Sequence, residues 1–159
     1  MKKIEIELDV KNKKHFVSRY NDDVVEPKLI EYLYNYLIGK SIKSKVVIKI
    51  RDNFGFSKKE MGKYILLIRN EIKENIDELN DELYSTIKNN LLLLFAGSFL
   101  ISLSYVIDYI HLYTISQIIT VFGWVVLWEV AYSMIFGSST NRKMIKRYKQ
   151  LYDAEIKFI

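Results

Sequence analysis

The sequence predicts an α+β cytoplasmic N-terminal domain of two strands and two to three helices, followed by a transmembrane α-helical hairpin and an amphipathic C-terminal helix. Three observations predict this class. Two apolar segments, Leu91 to Ile107 and Ile115 to Phe136, contain no Lys or Arg, and each approaches or exceeds the roughly 20 apolar residues that a helix needs to cross a bilayer's hydrocarbon core. Composition breaks at the same place: residues 1–90 hold 18 Lys+Arg against 15 Asp+Glu, whereas residues 91–137 hold only Asp108 and Glu129. Ahead of the break, a period of two gives way to helical periods, as in a small mixed domain. A helix that is apolar all round must be covered, and a chain of 159 residues has too little other apolar surface to cover two. The expected boundaries are therefore 1–84 for the cytoplasmic domain, 85–137 for the hairpin (helices 91–110 and 115–137) and 138–159 for a basic amphipathic tail.

Taken in order, Ile4, Ile6, Leu8 and Val10 alternate with Glu5, Glu7 and Asp9, the pattern of a strand with one buried face. Residues 12–20 allow two readings. Asn12 caps a short helix with Phe16, Val17 and Tyr20 inward, which is preferred, or Lys11 to Lys14 turn the chain into a second hairpin strand. Pro27 suits a first helical turn, and Ile30, Leu33, Tyr34, Leu37 and Ile38 keep helical spacing up to Gly39. Val46 to Ile50 is β-branched and apolar, a second core strand. Ser57 and Glu60 have capping-box spacing and open a long helix whose stripe runs from Met61 through Ile68, Ile72 and Ile76 to Ile87. That helix either continues into the first membrane segment or breaks at Ser85 or Asn89-Asn90.

Beyond the hairpin, Gly137-Ser138-Ser139 permits a bend, and Ile145, Tyr148, Tyr152, Ile156 and Ile159 form an apolar stripe opposite basic residues. The tail is thus expected to lie on the anionic membrane surface or against a partner helix, through Arg142, Lys143, Lys146, Arg147 and Lys149. The connector between the helices carries no Lys or Arg, so the positive-inside rule places the tail in the cytoplasm, and two crossings return the chain to its starting side. Both termini are expected to be cytoplasmic in a multi-pass protein of the cytoplasmic (inner) membrane. The alternating charges of the first residues lack the apolar run of a cleavable signal.

Within the hairpin, Glu129 lies about eight residues before Gly137, roughly 12 Å inside the cytoplasmic end at 1.5 Å per residue. A carboxyl at that depth costs several kcal/mol unless it is neutralised, paired or wetted. Ser116, Thr120, Gly123, Leu127 and Ala131 share one narrow face of the second helix, with Glu129, Phe122, Val126 and Ser133 opposite. Gly97, Ser98, Ser102 and Tyr105 form a comparable face on the first. Packing of the hairpin is assigned to Gly97, Ser98, Ser102, Gly123 and Ala131. Glu129 and Ser133 are left as an intramembrane polar site for homo-oligomerisation.

Signals for chemistry are weak. Gly55 and Gly62-Lys63 miss phosphate-loop spacing, because six residues intervene where four are needed and Tyr64 follows where Ser or Thr should. His15 and His111 fall on opposite sides of the membrane in this topology, and the chain has no cysteine. Asp77, Glu78, Asp81 and Glu82 read as a solvated helix face. No catalytic set, cofactor, metal site or nucleic-acid surface is expected. The two-helix layout and the Ile/Lys/Asn-rich usage resemble those of small bacterial two-transmembrane-helix membrane proteins with a cytoplasmic N-terminal domain, a resemblance of layout and composition that carries no functional residue across. The expected function is a non-enzymatic, membrane-anchored adaptor or regulator with the lipid bilayer, further copies of itself and a cytoplasmic protein as partners. The alternative is a membrane effector whose cytoplasmic domain senses a signal and whose hairpins assemble to disrupt the membrane.

Overall fold

A computed structural model describes residues 3–10, 16–18, 21–51 and 55–159. The chain forms two compact units, one of Met1–Leu79 with Met144–Ile159 and one of Asn80–Lys143. The expected succession of N-terminal domain, hairpin and amphipathic tail is overturned. The structure is mostly helical, with a small strand region before the helix Lys58–Tyr109 and a last strand, Glu155–Phe158, at the other end of the chain.

In the first unit, β1 (Lys3–Asp9) runs parallel to β4 (Lys45–Arg51), with Ile6 opposite Ile48 and Leu8 opposite Ile50. Parallel neighbours need a crossover, and α1 (Pro27–Leu37) supplies it, opened by Pro27 and carrying buried Ile30, Leu33 and Leu37. The second neighbour of β4 is β5 (Glu155–Phe158), also parallel, with Ile48 opposite Ile156 and Ile50 opposite Phe158. Sheet order is therefore β1-β4-β5, and the crossover from β4 to β5 contains every residue of the second unit. The C-terminal segment is not a free amphipathic helix: α4 (Ser138–Tyr152) leads back to the sheet, and Ile156 is a strand residue. The physical reason is alternation, since Glu155-Ile156-Lys157-Phe158 places its two apolar side chains on one face and its two charges on the other.

Ile6, Ile48, Ile50, Leu33, Leu37, Ile68, Ile72 and Leu151 are fully buried. Each such side chain contributes about 1.5–3 kcal/mol relative to exposure, and these bind sheet, α1, α2 (Lys58–Tyr109) and α4 into one core. The other sheet face is charged. Lys49 Nζ lies 2.5 Å from Glu5 Oε2, Arg51 lies 3.7 Å from Glu7, and Lys157 lies 2.9 Å from Glu155. Hydrogen bonding from Lys49 holds the Glu5 carboxyl below the usual carboxylate range, and Lys157 does the same for Glu155.

The preferred helix near residues 12–20 is also corrected. Val17–Ser18 (β2) is strand, but it pairs antiparallel with Asn21–Val25 (β3) and not with β1, and residues 12–15 and 19–20 lie outside the described residues. Phe16 anchors the pair, stacked on Tyr64 at 4.9 Å and edge-on to Phe56 at 5.8 Å. The capping box is formed as the spacing predicts: Glu60 N–H donates to Ser57 Oγ at 3.2 Å and Ser57 N–H to Glu60 Oε2 at 2.9 Å.

The second unit is a helical hairpin. Helix α2 runs unbroken for 52 residues, so no break occurs at Ser85 or Asn89. It ends in a Schellman motif, in which Leu112 N–H bonds Ile107 O and His111 N–H bonds Asp108 O. His111 takes the left-handed position (φ 64°) usually given to glycine. Helix α3 (Tyr113–Tyr132) then passes through a π-helical turn, Ser133–Gly137, directly into α4, so the chain stays helical through the Gly137-Ser138-Ser139 segment that permits a bend. Both helices are long and apolar enough to cross a membrane, and in each the most apolar 18-residue stretch is only 11% buried.

Candidate functional site

The hairpin is organised by residues seven apart. Asn90, Gly97 and Ser104 are buried on α2, as are Ser116, Gly123 and Val130 on α3. A seven-residue repeat keeps one face turned to a partner along its length. Gly97 and Gly123 meet: a Cβ added at Gly123 would lie 3.2 Å from Gly97 O and 2.7 Å from Ile101 Cγ1, and one at Gly97 would lie 3.2 Å from Gly123 O and 2.9 Å from Leu127 Cδ2. Backbone touches backbone there, as small residues permit between apolar helices. The antiparallel register set by that pair puts Ser104 level with Ser116 and Asn90 level with Val130. Asn90 closes the end of the seam, its Nδ2 donating to Ser133 Oγ at 3.0 Å.

The other residues assigned to packing are less buried than the two glycines. Ser98 and Ser102 are exposed, and Ser102 Oγ is satisfied within its own helix by Ser98 O at 2.9 Å. Ala131 is half-buried. Ser133 joins the Asn90 contact rather than an outward polar face. Glu129 is exposed, with no hydrogen bond or ion pair among the described residues. The exposed surface of the hairpin is otherwise apolar and aromatic, with Trp128 71% exposed and, on α2, Leu92 69% and Phe95 68%.

The basic residues expected on a membrane surface separate into two groups. Arg142 and Lys143 belong to the hairpin unit and are exposed. Arg147, in the sheet unit, turns inward and donates to Leu37 O and, at 3.3 Å, to Lys40 O. Leu37 O is the last carbonyl of α1 and Lys40 O lies in the turn that follows, an end that a guanidinium fits in both hydrogen bonding and charge. Tyr148 stacks on Tyr34 at 4.9 Å, and burial pushes its hydroxyl pKa up, with smaller contributions from Tyr34, Glu31 and Glu78. Gln150 completes the attachment of α4, its amide donating to Ser41 O at 3.1 Å and Ser44 O at 2.7 Å.

Lys146 and Lys149 face a groove of about 510 Å³ that also takes in Lys3, Lys43 and Lys45. Five lysines stand there against Asp153 and Glu155, and Glu155 is already paired with Lys157. Gln150 lines the same groove, and its Oε1 is buried without a hydrogen-bond partner. Compared with protein-family models, curated proteins and solved structures, the chain matches none. The groove escaped sequence reading because its walls come from β1, the turn before β4 and the end of α4, brought together only by the β4–β5 pairing. Among the described residues no cluster of His, Cys, Asp and Glu has metal-holding geometry.

Proposed function

We propose that the protein is a non-enzymatic, membrane-anchored adaptor or regulator. Its hairpin crosses the cytoplasmic membrane, its connector faces outward, and its sheet unit and both termini lie in the cytoplasm. The observation that carries this reading is the exposure of the hairpin: side chains such as Leu92, Phe95 and Trp128 need an apolar surround that the chain itself does not supply. Regulation is supported by connectivity. Strands β4 and β5 pair in one sheet yet lie on either side of the hairpin in sequence, so an event at the sheet unit reaches both hairpin helices through the chain. Self-association through the Glu129 face completes the reading, since an exposed carboxyl on a membrane helix is costly until it is partnered. The test is crosslinking in native membranes followed by capture of the full chain. Cytoplasmic partners lost on charge reversal at exposed Glu7 and Arg51 support the adaptor reading, and a partner set indifferent to that reversal contradicts it.

The exposed Glu129 also supports the alternative of a membrane effector whose hairpins assemble into a pore. Induced expression with a membrane-potential dye separates the two, because cells that stay polarised with abundant folded protein and its trigger present contradict the effector.

A further inference from the structure

We infer that the lysine groove at the β4–β5 side of the sheet unit binds an organic phosphate that carries a hydroxyl group beside its phosphate. The inference rests on the regulator reading only for the consequence of binding; the site itself stands on the geometry of one unit. Lys43, Lys45, Lys146 and Lys149 come from the turn before β4, from β4 and from α4, all exposed and none in an ion pair among the described residues. Four ammonium groups around one concavity, of which Lys45 is within electrostatic reach of Glu155, repel one another, and an anion with several acceptor oxygens relieves it. Lysine is suited to phosphate as a mobile point charge with three donors. The volume of about 510 Å³ lies within the range of roughly 300–1,000 Å³ for small-ligand pockets.

Gln150 narrows the ligand. Both donors of its amide are committed to Ser41 O and Ser44 O, which fixes the orientation of the group and leaves Oε1 a buried, unpaired acceptor on a residue that lines the groove. A buried acceptor of this kind calls for a donor, and a fully deprotonated anion such as sulfate has none to offer. A hydroxyl one or two bonds from a phosphate ester has the required donor. Glycerol phosphates and sugar phosphates share this chemistry, whether free in solution or as the headgroup of a lipid such as phosphatidylglycerol.

The experiment uses the full chain in nanodiscs of phosphatidylcholine, titrated with glycerol 3-phosphate, ribose 5-phosphate, methyl phosphate, sulfate and glycerol, and in parallel nanodiscs containing phosphatidylglycerol. Saturable binding of the two hydroxylated phosphates is expected to be about three- to tenfold tighter than that of methyl phosphate, the value of one hydrogen bond, with no binding of glycerol. Lys43→Gln and Lys149→Gln, at exposed positions without ion pairs, should each weaken binding severalfold while leaving the melting curve unchanged. A rise in melting midpoint that depends on Lys43 and Lys149 and is seen only in nanodiscs containing phosphatidylglycerol assigns the same site to a lipid headgroup. Absence of binding in both arms, affinity equal to that for sulfate, or indifference to both lysine substitutions overturns the inference. Binding that leaves the captured partners of the chain unchanged contradicts the regulator reading and leaves the site standing.

Discussion

Replacing Gly123 with alanine drives a methyl group into the closest approach of the two membrane-length helices. The added carbon would sit 2.7 Å from Ile101 Cγ1, 3.2 Å from Gly97 O and 3.3 Å from Ile101 N. A side chain can swing away from such a contact, but two of the three neighbours are backbone atoms of α2. To reach an ordinary separation of about 3.5–4 Å the helices must part by roughly half an ångström along this level, losing packing above and below it. Overpacking of this size costs about 1–3 kcal/mol, and Gly123→Leu should cost more, because no rotamer avoids the facing helix. Gly97→Ala meets Leu127 and Gly123 O in the same way. The double alanine variant should cost less than the sum of the singles, since the first substitution has already opened the seam for the second. The chain has no cysteine, so Ser104→Cys with Ser116→Cys makes a two-thiol reporter for one level of the seam. Its oxidation should be fast in the parent background and slowed by Gly123→Leu, with a lower melting midpoint in detergent. Gly123→Leu with unchanged crosslinking and unchanged melting would refute the seam.

Other expectations concern the sheet unit. Arg147→Met removes the guanidinium from Leu37 O, which keeps Lys40 N–H, and from Lys40 O in the turn after α1, and should cost about 1 kcal/mol, read as loss of hydrogen-exchange protection in β4, with Arg147→Lys recovering part of it. Ile156→Asp places a charge in the strand opposite Ile48 and should unfold the sheet unit, whereas a tail lying on the membrane would tolerate it. Glu5 and Glu155 have carboxyl pKa values held down by Lys49 and Lys157, so the stability they contribute is present above the ordinary carboxylate range and is lost as pH falls through their lowered values. Glu5→Gln should therefore flatten the acid limb of the unfolding curve, and the parent and variant curves should converge in acid.

Much of this architecture is local and was legible as such. The alternation of Ile4, Ile6 and Leu8, Pro27 at the start of a helix, and the Ser57–Glu60 cap each act within a few residues, and β1, α1 and α2 follow them. The three-stranded sheet is not local. Its β4–β5 pairing joins Ile48 to Ile156 across the whole hairpin, and a four-residue strand whose apolar residues also fit a helical stripe cannot be told from a helix end by periodicity. The seam between the helices was half legible. Residue size alone selects Ser98 and Ser102, but a serine satisfied by the carbonyl of its own preceding turn, as Ser102 is, needs no partner helix. The seven-residue spacing of Asn90, Gly97 and Ser104 was the better signal. Arg147 and Gln150 gave no sequence cue, since their acceptors lie more than 100 residues away in the chain.

Placing β4 and β5 in one sheet requires the residues before and after the hairpin to lie on the same side of any membrane that the hairpin crosses. Single cysteines at Glu74, Thr114 and Glu155, all exposed, report this in intact cells with an impermeant thiol reagent. Labelling is expected at Thr114 alone, with Glu74 and Glu155 reacting together only after permeabilisation. Labelling of Glu155 without Glu74, or protection of Thr114 in cells where the chain is folded, would contradict it.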